Sequence, residues 1–194
     1  SFILASETCA LDIVGASFIR EVENGEIVVV EDNKMSSIKP FPKQKARPCV
    51  FEYIYFARPD SLIGDKCAYE YRKKFGIQLA KESDVNADIV IPVPDSGVPA
   101  ALGYAEYSKK IFELGLIRNH YVGRTFIEPT QNIRSLGVKL KLSTTKTIVK
   151  NKILVLIDDS LVRGTTCHKI VKMLYEAGAK EVHVRIACPE IKFP

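Results

Sequence analysis

From Cys49 onward, short apolar runs alternate along the chain with stretches of helical spacing. ADIVIPVP is followed by a helix predicted from about Val98 to Leu114, KILVLIDD by one from about Thr166 to Ala177, and EVHVRIAC closes the series. Strands covered on both faces read as near-continuous apolar runs, and strand–helix alternation is the sequence form of parallel βαβ units. An α/β domain with a parallel sheet and flanking helices is therefore predicted. Thr165 and Thr166 can cap the late helix, and Gly178 in EAGAK stops it.

The chain before Cys49 has a different texture. LDIVGASFI and EIVVVED are apolar and β-branched and read as strands, separated by ENGE, whose Asn24-Gly25 is a hairpin signal. KPFPKQKARP then combines three prolines with basic residues, the composition of a linker or an interdomain crossing. The expected division places one domain's end and its linker in 1–44 and the α/β domain in 45–194. The segment from Arg118 to Leu142 fits neither texture. With Gly123, Gly137, Pro129 and many hydroxyl and basic residues, it reads as a lid or binding loop.

Composition narrows the class. At 194 residues with 46% hydrophobic and 26% charged residues, the chain has the make-up of a soluble globular protein, and no apolar run approaches the about 18 residues of a membrane span. The opening SFILASETCALDIVGA carries neither an initiator Met nor a basic leader, so the chain is expected to begin inside a longer polypeptide. The net charge of +5 is scattered, with short clusters only at Arg72–Lys74 and Lys139–Lys141. Aromatic residues do not interleave with those clusters, so a solvated surface and an anionic small ligand are favoured over nucleic acid. Five cysteines without a CxxC pair point to a reducing, cytoplasmic compartment; each also reads as a small buried hydrophobe.

The chemistry concentrates in ILVLIDDSLVRGTT, Ile153 to Thr166. Five apolar residues form a strand, two carboxylates sit at its carboxyl end, and a polar loop enters a helix; ligands of open α/β sheets bind at that edge. Free N–H groups at the helix start, with Ser160, Thr165 and Thr166, can hold a phosphate, and Gly164 lets the backbone come close. Arg163 adds charge there or points to solvent. Asp158 and Asp159 can accept hydrogen bonds from ribose hydroxyls or bind them through Mg²⁺, a hard cation suited to oxygen ligands. The plainer alternative has one Asp capping the loop and the other solvated. At the preceding strand, the loop PVPDSG offers Asp95 and Ser96 at the same sheet edge; the alternative there is an ordinary turn with Ser96 as N-cap.

This string resembles the signature of type I phosphoribosyltransferases, which bind phosphoribosyl pyrophosphate (PRPP). DDSLVRGTT departs by one conservative change from the form typical of the glutamine PRPP amidotransferases. SETCALDIVGA, EYIYFARPDS, PVPDSGVPAALGYA, YVGRTFIEP and EAGAKEVHVRIACPEIKFP agree with that family in order, over essentially the whole chain. The resemblance implies a pentosyltransferase of purine synthesis. Such an enzyme moves glutamine-derived ammonia to carbon 1 of PRPP, gives 5-phosphoribosylamine and pyrophosphate, and is subject to feedback by purine nucleotides. It further implies a homo-oligomer, with neither nucleic acid nor membrane as partner.

The resemblance gives Ser96, Asp158 and Asp159 to Mg²⁺; with the residue chemistry above it makes Asp158 and Asp159 catalytic candidates and assigns Asp95, Ser96, Asp158, Asp159, Ser160, Arg163, Gly164, Thr165 and Thr166 to PRPP. Arg124, Lys139 and Lys141 fall in the family's flexible loop, where Arg124 is the catalytic candidate and Lys139 a PRPP ligand; His120 stands where the family usually has Arg. Cys49 matches the first ligand of the [4Fe-4S] cluster carried by one branch of the family, and the further ligands would lie beyond Pro194. Ser1 falls in the closing strands of an N-terminal nucleophile glutaminase domain, so Cys9 is not its nucleophile. Since ammonia is already a nucleophile, no His–carboxylate dyad is required. A salvage phosphoribosyltransferase would share the DD and GTT elements but not SETCALDIVGA or YVGRTFIEP, and a DNA-binding PRPP sensor would show a helix-turn-helix.

Overall fold

A computed structural model describes residues 1–43, 45–120 and 141–190. The chain divides into two compact units, Ser1–Ala68 and Tyr69–Pro194. Contacts thus group residues 45–68 with the first unit.

The first unit is built from short elements. Helix α1 (Thr8–Ile13) takes Leu11–Ile13, the start of the stretch expected as the strand LDIVGASFI, and residues 14–19 form no strand. It closes through Val14 N–H to Leu11 O and Gly15 N–H to Asp12 O, with Gly15 at φ +68°. A hairpin follows, β1 (Ile27–Glu31) against β2 (Lys34–Ile38) in antiparallel register. Its turn is Asp32-Asn33, both left-handed at φ 46° and 58°, the geometry of a two-residue type I′ loop. The turn expected at Asn24-Gly25 only leads into β1, through Glu26 N–H to Glu23 O. A π-helical turn (Glu52–Phe56) and the two-residue strands β3 (Leu62–Ile63) and β4 (Lys66–Cys67) complete the unit.

The second unit holds the sheet. Helix α2 (Ala68–Ser83) leads to β5 (Ile89–Pro92), α3 (Val98–Ser108), β6 (Ile111–Phe112) and β7 (Leu116–Arg118). After residue 140 come β8 (Leu142–Thr144), α4 (Lys146–Val149), β9 (Ile153–Asp158), α5 (Thr165–Glu176) and β10 (Glu181–Ile186). Four parallel strands stand in the order β10-β9-β5-β6, while β7 and β8 form a separate antiparallel pair. The parallel α/β sheet predicted from the sequence is present. Helix α3 ends earlier than Leu114, at a left-handed Lys109 (φ 55°), because Ile111 and Phe112 pair with Ile89 and Val90.

Alternation along the strands makes two cores. Ile89, Ile91, Leu154 and Leu156 join Leu116, Val149, Ile170 and Leu174 on one face. Val90, Val155 and Ile157 meet Ala80, Ala100, Ala101 and Tyr104 on the other. Each fully buried aliphatic side chain contributes about 1.5–3 kcal/mol, so the central strands are fixed by both layers. Polar groups tie the second layer: Tyr104 Oη lies 3.1 Å from Ser83 O, and Lys110 Nζ and Arg185 Nε donate to Asp84 Oδ1 and Ser83 O at 2.6 and 2.9 Å. Burial, with the Asp84 charge beside it, pushes the Tyr104 hydroxyl up to about 12.

Helices α2 and α3 touch backbone to backbone. A Cβ on Gly76 would lie 1.8 Å from Ala100 O, and one on Gly103 would lie 2.0 Å from Lys73 O. Neither carbonyl can yield as a flexible side chain would. Gly103→Ala is expected to destabilise the α/β unit by about 1–3 kcal/mol through overpacking, read as a lower urea midpoint; an unchanged midpoint would show that the helices do not approach this closely.

Candidate active site

The sheet order creates the site. Chain order runs β5, β6, β9, β10, yet β9 lies on the side of β5 opposite β6, so the winding reverses between β5 and β9. Crevices at such switch points, outside the carboxyl ends of the strands, are the ligand sites of open α/β sheets. Both strings singled out in the sequence leave the sheet there.

The two loops are joined through the backbone. Val93 N–H donates to Ile157 O at 2.8 Å, Gly97 N–H to Val93 O at 2.9 Å and Val98 N–H to Asp95 O at 3.2 Å. Gly97 is buried, and a Cβ there would sit 2.5 Å from Ile157 O. Only glycine lets the β5–α3 loop lie this close to β9. Gly97 also takes the N-cap of α3 that the plainer reading gave to Ser96, which is half-buried.

Asp158 closes β9. Its Oδ1 accepts the Asp159 N–H at 2.9 Å, and Asp159 Oδ1 accepts the Ser160 hydroxyl at 2.9 Å. Asp159 is 7% exposed, and among the described residues its Oδ2 is a buried oxygen without a hydrogen-bond partner. Burial first, and then the charge of Asp159, push the Asp158 carboxyl up to about 7. Two carboxyls forced together, one with an orphaned oxygen, form a donor set suited to a hard cation or to ribose hydroxyls.

Beyond Ser160 the loop is exposed at Leu161, Val162 and Arg163 and turns into α5 at Gly164, φ 70°. Gly164 itself is the N-cap. Thr165 and Thr166 are exposed and make no side-chain capping bond, contrary to the capping role predicted for them. His168 N–H reaches Gly164 O, so the N–H groups of Thr165, Thr166 and Cys167 precede the first helical bond. A recess of about 610 Å³ beside the loop is walled by Leu161, Val162, Ile186, Cys188, Pro189 and Glu190.

Asp158, Asp159 and Ser160 are thus brought into one hydrogen-bonded group, beside the helix start that carries Gly164, Thr165 and Thr166. Asp95 is exposed and paired with Arg118, whose Nη1 donates to its Oδ2 at 2.5 Å. Sequence reading put Asp95 on the ligand and left Arg118 out; the available signal was an arginine opening the segment read as a lid. Two cysteines, read from the sequence as small buried hydrophobes, stand beside the acidic pair and are half-buried. Burial, and next the charges of Asp158 and Asp159, raise the thiols of Cys167 and Cys188 respectively. Arg124 and Lys139 lie outside the described residues. Cys49 belongs to the first unit and is exposed, and among the described residues no three His, Cys, Asp or Glu side chains are grouped to hold a metal.

No family model matches the chain. It is 60% identical to the amidophosphoribosyltransferase of Rhizobium etli over 197 aligned positions, covering 99% of this chain and 40% of that protein. The glutamine PRPP amidotransferase of B. subtilis, solved in complex with ADP and GMP, superposes with a TM-score of 0.89 at 52% identity, over 97% of this chain and 42% of that one. A structure described as the allosteric regulatory enzyme of purine biosynthesis gives a TM-score of 0.90, also at 52% identity, over 97% and 41%. The chain therefore spans about two fifths of the length of these relatives. Kinship with the amidophosphoribosyltransferases, expected from the motifs, holds along nearly the whole chain, and so does the fold.

The unpartnered Asp159 oxygen has a consequence for stability. Asp159→Asn keeps the shape while relieving the repulsion between neighbouring carboxyls, and should stabilise the ligand-free protein by about 1 kcal/mol, a rise in Tm of roughly 2–4 °C. A lower Tm in calorimetry would mean that the acidic pair supports the fold.

Proposed function

We propose that this chain supplies the PRPP-binding and ammonia-transfer part of an amidophosphoribosyltransferase, a pentosyltransferase of purine synthesis. The observation that carries the reading is the acidic pair at the β5–β9 switch point, half-buried Asp158 and buried Asp159, beside the open N-terminus of α5. Kinship with relatives of that name supports it and favours neither a salvage enzyme nor a DNA-binding sensor.

In this reading the first N–H groups of α5, with Ser160, Thr165 and Thr166, hold the ribose 5-phosphate, aided by the positive end of the helix. Arg163, exposed on the same loop, adds charge for it. Asp158 and Asp159 take the ribose hydroxyls, and the β5–α3 loop with Asp95 and Ser96 faces the pyrophosphate. The donor set fits Mg²⁺, because the orphaned Asp159 oxygen and the raised Asp158 carboxyl both gain from a cation. Asp158, Asp159 and Ser96 would hold it; bound there, it neutralises charge on the departing pyrophosphate.

Ammonia attacks carbon 1 with its lone pair, the bond from carbon 1 to the pyrophosphate oxygen breaks, and the proton shed by the new amine passes to solvent. The protein's task is orientation and charge stabilisation rather than base catalysis. Arg124 as a catalytic group and Lys139 as a PRPP ligand belong to the same proposal. So do the glutaminase origin of residues 1–44, purine nucleotides as feedback ligands and assembly with further copies. Cys49 alone does not make a cluster site, so no step runs through one. Among the described residues no helix is long and apolar enough to cross a membrane.

The test is amination of PRPP with ammonium and Mg²⁺. Asp158→Asn combined with Asp159→Asn should lower phosphoribosylamine formation by at least about 10²-fold while circular dichroism stays unchanged. A double variant that keeps its activity sinks the assignment.

A further inference from the structure

Two motifs singled out in the sequence, SETCALD and ARPDS, have no part in the site described above, yet they meet in the first unit. Glu7 Oε2 accepts the Arg58 N–H at 2.8 Å and the Ser61 hydroxyl at 2.7 Å. Thr8 Oγ1 accepts the Leu62 N–H at 2.8 Å. These bonds span 51 and 54 residues of sequence, and Ser61 is 1% exposed. The turn they hold is closed by Ser61 N–H to Arg58 O at 3.0 Å and is stiffened by the paired side chains of Arg58 and Asp60. Ser61 O then accepts the N–H of Ala68, the first residue of α2.

A charge-assisted bond from a buried hydroxyl is both strong and intolerant of substitution, because removing the carboxylate leaves the hydroxyl without its acceptor. Between the clamped ends lies a proline-rich stretch, exposed over residues 39–43 and 45–48 and without a helix or strand there. The clamp ties residues 7–8 and 58–62 directly. In the proposed domain assignment Glu7 lies in the glutaminase part, 1–44, and residues 58–62 in the transferase part, 45–194, and the clamp is among the contacts that group 45–68 with the first unit.

We infer that Glu7 is a positioning residue whose carboxylate, clamping the 58–62 turn, keeps ammonia release coupled to ammonia use. This rests on the proposed function. Without the clamp, ammonia freed from glutamine escapes to solvent, and ammonia supplied from solution still reacts.

The experiment uses the full-length protein and measures glutamate and pyrophosphate formed with glutamine, and pyrophosphate formed with ammonium. Glu7→Ala should raise the glutamate-to-pyrophosphate ratio about fivefold or more while the ammonium-dependent rate stays within about twofold. Glu7→Gln, which retains an acceptor, should restore the ratio. Should Glu7→Ala not fold, Ser61→Ala carries the same test, with a smaller rise expected. An unchanged ratio, or equal losses with glutamine and with ammonium, overturns the clamp while leaving the proposed activity standing. A wild-type protein that releases no pyrophosphate with either nitrogen source overturns the activity itself, and the clamp's role with it.

Discussion

The site depends on one close approach, that of the β5–α3 loop to the end of β9. Val93 N–H to Ile157 O and the bare α-carbon of Gly97 bring two loops to one edge of the sheet. This contact needs β5 and β9 to be neighbours, and they are held so by a core that closes on both faces, through Ile91 and Leu156 on one side and Val90 and Ile157 on the other. The apolar content of the strands therefore does more than stabilise. It sets the distance between an acidic pair and a second loop that the chain reaches 60-odd residues earlier, well before any ligand enters.

The same core makes the acidic pair costly. A carboxyl at the end of a buried strand loses much of its water, and a second one beside it adds repulsion, which together raise Asp158 to about 7, while an Asp159 oxygen is left unmatched. Such local conflict in an otherwise consistent fold marks a place kept for chemistry rather than for stability. The exposed Leu161 and Val162 have the same character, since large apolar groups on a loop crest gain little in the free protein.

What could be read from the sequence was local. The Ile153–Thr166 string carries strand, acidic pair, glycine and helix start within a few turns of chain, so its arrangement follows from neighbours alone. The β1–β2 hairpin was half legible: Ile27–Glu31 reads as a strand, but two turn signals competed and the left-handed Asp32-Asn33 prevailed. Helix α2 was missed for a physical reason. Gly76 interrupts the helical pattern and weakens it, yet that glycine is what lets α2 lie against α3. In α1 the β-branched Ile13 and Val14 suggest a strand, whereas the bonds that hold Glu7 and Thr8 come from residues more than fifty positions away. The Arg118–Asp95 pair is beyond local reading for the same reason.

That pair changes the electrical layout of the crevice. With Asp95 bound to Arg118, the β5 loop presents a compensated pair, while β9 presents two carboxyls and α5 the positive end of a helix dipole. An anionic group is then favoured at α5, next to the acidic pair, while the compensated β5 loop neither attracts nor repels one strongly. In the proposed function, a phosphorylated sugar that also carries a pyrophosphate would lie with its phosphate at α5, its hydroxyls and a cation at the aspartates, and its pyrophosphate toward the β5 loop. The order β10-β9-β5 would thus dictate which way the sugar lies, and hence which carbon faces the incoming nitrogen, without any single residue having to specify it.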